Sequence, residues 1–261
     1  MFSSQTTYIG IDLTAGKRPL TYTALDSGLR LLAMGEGSLN DVLAFLAGQR
    51  QAVAAICAPQ RPNQGLMDQE EVRSRLTPVP RPGRWNDFRL AEYQLRQLKI
   101  SCPQTPRQET DAPTWMQIGF SLYRRIEGMG YQAFSHPIEP GGAPDVPATL
   151  RYIEVYPHAS FTIWLKKPPL PKNTLEGRLQ RQLVLYAEKL KISDPMDFFE
   201  EITRHRLMQG VLPLENLYTP SELDTMTAAY TAWLAGNQPE RVAFLGSQQE
   251  GQVAVPAHSL N

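Results

Sequence analysis

The sequence predicts an α/β domain built on a mixed sheet, and three observations carry that expectation. Strand-like and helix-like periodicities alternate along the chain instead of segregating into halves. The run AVAAIC, residues 52–57, is apolar almost throughout, as a strand covered on both faces must be. The chain has 261 residues, 42% of them apolar, enough for one large domain with a proper core.

The elements follow in order. TTYIGIDL, PLTYTALD and LRLLAMG are β-rich runs separated by the turn signals Gly16, Pro19, Ser27 and Gly28, so the chain opens with a three-strand meander. Ser38 and Asp41 form a capping-box-like start to SLNDVLAFLAGQ, whose Leu39, Val42, Leu43 and Leu46 fall at helical spacing. AVAAIC follows and Ala58-Pro59 stops it, which makes Ile11-Asp12 and Ile56-Cys57 the ends of two buried, neighbouring strands. From about 59 to 113 a Pro-rich stretch, helical around Arg84 to Leu98, reads as an insertion over the sheet. Trp115, Ile118, Leu122 and Ile126 mark a packed helix ending at Gly128 or Gly130. PIEPGGAPDVPA, residues 137–148, reads as a loop, and TLRYIEVY as a strand stopped by Pro157 with Glu154 near its end. TLEGRLQRQLVLYAEKL, DPMDFFEEITRHRLM and SELDTMTAAYTAWLAG read as helices, the last with Ser221 as N-cap. VAFLG, SQQEGQ and VAVP close the chain as a hairpin, so residues 1–261 form a single domain with one insertion.

Composition narrows the function classes. Lys and Arg number 26 against 26 Asp and Glu, a balance that argues against a sequence-indifferent nucleic-acid coat, which needs a positive face. Cys57 and Cys102 belong to no C-x-x-C pair, so no zinc ribbon or dithiol redox motif is written here. The N-terminal segment has no basic stretch leading into an apolar one, and no apolar run reaches a membrane span; the expectation is a cytoplasmic protein with no membrane partner.

In open α/β sheets the site lies outside the C-terminal ends of the strands, and the sequence puts Asp12 and Glu154 at two such ends. Asp224, near the start of an Ala-rich helix, is a third acid. Three converging carboxylates repel and are desolvated, so such a trio implies Mg²⁺ or Mn²⁺, or a raised pKa. Each acid also has a plain structural reading. Asp12 equally fits an Asx-turn to Thr14 or Ala15, Glu154 a solvated strand face, and Asp224 a helix-start residue favoured by the macrodipole.

YIGIDL, AICAP, LAEYQLRQLKI, YIEVYPHASF, PKNTLEGRLQRQL, LDTMTAAYTAWLAG and EGQVAVP together resemble the motif series of a predicted-nuclease family with an RNase H-like fold, filed as domain of unknown function 429. The resemblance implies a mixed five-stranded sheet flanked by helices, with divalent ions between its acids. It carries Asp12, Glu154 and Asp224 over as catalytic and metal-binding residues, and matches Glu92 and Arg96 to the family's polar helix motif and Lys172, Arg178 and Arg181 to its basic one. Those cations can bind the substrate phosphate near the acidic site; equally, they can pair with the acids and fix the insertion. The resemblance also implies a departure: where the family reads Ile-Asp-Ala-Pro, this chain reads Ile56-Cys57-Ala58-Pro59, and a thiolate is a poor ligand for Mg²⁺.

Two readings follow. In the first, the chain is a metal-dependent nuclease or phosphodiesterase, attenuated at Cys57, with nucleic acid as its partner. In the second, it is an RNase H-like binding or scaffold domain without catalysis, favoured by Cys57 and by zero net charge. A third, weaker likeness of GIDLTAGK to the first phosphate loop of actin-like sugar kinases has no second phosphate loop or adenosine loop to support it. Substrate and oligomeric state stay open.

Overall fold

Tyr8 to Ile11 is an uninterrupted stretch without a charge, and all four residues are buried in strand β1 (Thr7–Asp12), in the interior of a sheet. The structure is a computed structural model and describes residues 6–16, 19–134, 149–202 and 204–257. The loop expected over 137–148 lies outside the described residues. β1 pairs antiparallel with β2 (Leu20–Leu25), and β2 antiparallel with β3 (Leu31–Gly37), which is the expected meander. On its other side β1 pairs parallel with β4 (Ala52–Ile56). The crossover between them contains helix α1 (Leu39–Ala47), and its capping box is present: Ser38 Oγ accepts from the Asp41 amide while the Asp41 carboxylate accepts from the Ser38 amide.

After β4 come the short α2 (Glu70–Ser74), then α3 (Leu90–Gln97) and α4 (Thr114–Gly128), the two-residue strand β5 (Gln132–Ala133), and β6 (Leu150–Val155), which pairs parallel with the whole of β4. The closing hairpin is β7 (Val242–Ser247) and β8 (Gly251–Pro256). The expectation of five strands is corrected: the described residues form a mixed sheet of eight, in the order β3-β2-β1-β4-β6-β8-β7, with β5 attached to β6 off that path. The reason is that Tyr152 to Val155 are buried, so β6 cannot be left as an open edge with unpaired N–H and C=O groups. Its outer edge is shared, β5 pairing with Arg151 and Tyr152 and β8 with Glu154 and Val155.

Helices cover both faces. On one side α5 (Pro157–Leu165), α6 (Leu175–Ala187) and the C-terminal helix pack Phe161, Leu185, Met226 and Tyr230 over Tyr8, Val53 and Ile153. On the other, α1 and α4 pack Val42, Leu46, Leu122 and Ile126 over Ile9, Ile11, Ala54 and Ile56. α3 lies on the hairpin through Ala91 and Leu95.

Two further expectations are corrected here, and one helix is unexpected. Pro157 stops β6 as expected and is also the first residue of that helix, α5, where its missing N–H costs nothing. DPMDFFEEITRHRLM is two short helices, α7 (Asp197–Glu201) and α8 (Arg204–Met208), because Ile202 adopts an extended conformation (φ −72°, ψ 115°) that interrupts the helical bonds. The last helix, α9 (Pro220–Asn237), is capped by Thr219 and not by Ser221: Thr219 Oγ1 accepts from the Glu222 amide, and the Glu222 carboxylate accepts from the Thr219 amide. That shift puts Asp224 in the second turn, past the free N–H groups of the helix start.

α9 rests directly on the backbone of β1. A Cβ on Gly10 would sit 1.9 Å from the Thr225 carbonyl oxygen and 2.7 Å from the Ala229 amide nitrogen. The helix face turned to the sheet is correspondingly small, with Thr225, Ala228, Ala229 and Ala232 all fully buried. The hydroxyls of Thr225 and Thr23 meet at 2.7 Å across the same contact. Gly10→Ala is therefore expected to cost about 3 kcal/mol or more, since backbone on both sides must move. By contrast Gly128→Ala, in a helical turn with open space around it, is expected to be neutral or to stabilise by up to about 1 kcal/mol. Urea unfolding of the two variants checks both.

Candidate functional site

β1 and β4 end together, and the Cys57 amide donates to the Ile11 carbonyl at 2.9 Å, so residues 12 and 57 stand side by side at the C-terminal end of the sheet. α9, held down at Gly10, brings Asp224 to the same place. The Asp12 carboxyl is raised from its ordinary value, chiefly by burial and then by the neighbouring Asp224 charge; Lys172, the Thr14 amide and the Ser221 side chain pull the other way. The Thr14 amide donates to Asp12 Oδ1 at 3.3 Å, so the turn role and the site role of Asp12 coexist. Ser221, displaced from the cap, lies close enough to Asp12 for its side chain to favour the carboxylate.

The cation in this cluster is Lys172, whose Nζ donates to Asp224 Oδ2 at 2.6 Å. Burial works against the Lys172 charge, but Asp224 and then Asp12 outweigh it and hold the amine protonated. Burial, reinforced by Asp12 and Asp224, pushes the Cys57 thiol well above its usual value, so residue 57 is a neutral SH at pH 7.

Glu154 belongs to a different constellation. It is buried, and Arg89 grips it with both ends of its guanidinium: Nη1 donates to Oε2 at 3.0 Å and Nη2 donates to Oε1. The Gln60 amide adds a bond to Oε2 at 2.9 Å. Arg89, only 2% exposed, also donates through Nε to Glu92 Oε1 at 3.0 Å and through Nη1 to the Glu250 carbonyl at 3.2 Å. Glu92 is further held by the amide and hydroxyl of Thr105. The Glu250 carboxylate accepts from the amides of Gln64, Leu66 and Leu90, pinning the 59–113 segment to the β7–β8 turn.

Arg89 and Glu250 are the residues that sequence reasoning missed. The one local signal was Arg89 three residues before Glu92 at a helix start; nothing in the linear pattern joins Arg89 to Glu154, 65 residues away. The cations carried over by resemblance are spread out. Arg178 donates to the carbonyls of Leu217 and Tyr218, Arg181 to those of Leu170 and Gly177, and Arg96 to that of Cys102. Of the four, Lys172 alone makes an ion pair with one of the three predicted acids among the described residues. A small cleft of about 40 Å³, lined by Cys57, Arg89, Glu92, Glu154, Cys102 and Tyr156 among others, lies between the two constellations.

The chain belongs to the family described as "Protein of unknown function (DUF429)", which matches it over residues 87–250, more than half its length. The matched region includes Glu92, Arg96, Glu154, Lys172, Arg178, Arg181 and Asp224; Asp12 and Cys57 lie ahead of it. No curated protein and no solved structure matches the chain. Among the described residues, no helix is long and apolar enough to cross a membrane.

As arranged, the donors do not fit a pair of hard divalent ions. Glu154 is occupied by a guanidinium and an amide, Asp224 holds an ammonium, and residue 57 is a neutral soft thiol. Among the described residues no three His, Cys, Asp or Glu side chains assemble as a metal-holding group.

Two outcomes test this electrostatic picture. Arg89→Met leaves Glu154 and Glu92 buried without their counter-charge and is expected to cost about 3–5 kcal/mol in urea unfolding. Adding Glu154→Gln to that variant should recover roughly 1–3 kcal/mol as the uncompensated charge disappears. The second concerns pH. Because Asp12 has a higher pKa folded than unfolded, the native state binds the extra proton; its favourable contribution is present below the ordinary carboxylate value of about 4 and is lost as pH rises through the folded value. The melting temperature of Asp12→Asn should therefore gain on wild type across that window and run parallel to it above.

Proposed function

We propose that this chain is an RNase H-like domain that binds a nucleic-acid phosphodiester without hydrolysing it, with Asp224 and Glu154 each paired to a cation of the chain's own. The RNase H-like reading is supported by the part of the sheet running β3-β2-β1-β4-β6, five strands with Asp12 at the end of the central one, Glu154 near the end of the last and α9 laid across. One observation carries the functional choice: Lys172 sits on Asp224 and Arg89 on Glu154, where an acid-built hydrolase would hold divalent ions, and a thiol stands at residue 57. Lys172 is the residue that meets the ligand. Its side chain is 48% exposed, so the ammonium can bond a phosphate oxygen from solvent while Asp224 orients it from behind. Cys57, a neutral thiol, adds no negative charge for a phosphate to meet there.

A metal-dependent nuclease is the second reading, favoured by the same exposure of Lys172, which lets the side chain swing off Asp224 and free two carboxylates. Calorimetric titration of Mn²⁺ and Mg²⁺, with a cleavage screen on DNA, RNA and hybrid substrates, separates the two. The expected result is no saturable metal binding and no cleavage by the wild type, and metal binding acquired by Cys57→Asp, which restores a third carboxylate beside Asp12. Saturable Mn²⁺ binding by the wild type, abolished in Asp12→Asn and accompanied by cleavage, replaces the binding domain with the nuclease.

A further inference from the structure

The shared edge of β6 leaves a break in the sheet. Tyr152 is paired with β5 and Glu154 with β8, and Ile153 lies between the two partners. A cavity of about 230 Å³ opens at this break. Phe134 and Phe244 are among its lining residues; their rings stack on each other within 9° of parallel with centroids 5.8 Å apart, and the Arg151 guanidinium lies 5.1 Å from the Phe134 ring centre. Its polar side chains are the carboxamides of Gln60, Gln248 and Gln252, together with Tyr152, whose hydroxyl donates to Glu127 Oε1; no charged residue lines it among the described residues.

That lining selects by chemistry. Each carboxamide offers a donor and an acceptor, so three of them match a ligand whose edge carries both. A purely aliphatic ligand would bury those amides without partners. The phenyl rings make the lining beside them apolar, which suits the weakly polar body of an aromatic heterocycle. Gln60 is also placed firmly: its backbone amide is bonded to Glu154 Oε2 at 2.9 Å, and its side chain packs on Gly251, where any Cβ would meet it at 2.8 Å. Its side-chain bond to the Gln252 carbonyl is long, 3.4 Å, and is readily exchanged for one to a ligand.

We propose that this cavity holds a single unpaired nucleobase. The inference deepens the nucleic-acid reading above and rests on it for the source of the base, a single strand crossing the C-terminal end of the sheet. The base would lie next to Glu154 on β6, two strands over from Asp12, at roughly 5 Å per strand step.

The test uses the full chain and uncharged probes. Adenosine, guanosine, cytidine and uridine are titrated separately by calorimetry, and a fluorescent single-stranded oligonucleotide and its fully abasic counterpart by anisotropy. The expected result is saturable binding of at least one nucleoside, weakened roughly threefold to tenfold in Gln248→Ala and again in Gln252→Ala, with melting temperatures unchanged. The intact strand should also bind more tightly than the abasic one. Absence of saturable binding for all four nucleosides overturns the base site, as does binding that neither substitution changes. If in either case the abasic strand still binds with a steep salt dependence, the phosphate reading stands without the base site; if neither strand binds, both fall.

Discussion

The approach of α9 to β1 at Gly10 is the constraint on which the rest of the arrangement depends. A helix normally stands off a sheet by the length of the side chains between them. Here the Thr225 carbonyl and Ala229 amide occupy the space that a methyl group on residue 10 would need. The closeness explains why the sheet-facing side of α9 is Thr and Ala, and why Thr23 and Thr225 bond each other inside an otherwise apolar layer. It also sets the electrostatics, because Asp224 follows one residue before Thr225 and is delivered beside Asp12 only when the helix lies this low. The raised pKa of Asp12 and the ion pair to Lys172 are consequences of a backbone contact.

A second dependence runs through Arg89. The segment between β4 and α4 has few regular elements, yet it is anchored by a guanidinium that bonds Glu154, Glu92 and the Glu250 carbonyl at once. Burying such a network contributes little net stability, since desolvation offsets most of the attraction, but leaving any member out is costly. Its effect is therefore specificity: α3 can lie on the β7–β8 hairpin in one register. The price is that Glu154, an acid at a strand end, is committed to holding the fold together.

The two constellations and the cavity at the sheet break occupy neighbouring positions along one end of the sheet. Asp12 on β1 stands beside Cys57 after β4, Ile56 pairs with Glu154 on β6, and Ile153 next to it opens into the cavity. A ligand crossing the strand ends would meet an ammonium, a thiol, a neutralised carboxylate and then a ring of amides. That sequence of groups is the basis of the proposed phosphate and base recognition, with Asp12 the carboxylate left beside the ammonium.

Much of this was legible in the linear pattern, because it is local. The meander, the Ser38–Asp41 capping box, the doubly covered β4 and the α4 stripe all follow from periodicity and turn chemistry within a few residues. Local pattern also placed Asp12 and Glu154 at strand ends and Asp224 near a helix start. It went astray where two local readings compete, as at Thr219 and Ser221, two hydroxyls either of which can cap, and at Pro157 it gave the strand's stop but not the helix that begins there. Only the tertiary structure decided the partners: Arg89 for Glu154 across 65 residues, Lys172 for Asp224 across 52, and two strands for one edge of β6. The physical reason is that a side chain's local periodicity specifies which face it occupies, while its counter-charge is chosen by whichever distant segment the packed backbone brings within hydrogen-bond reach.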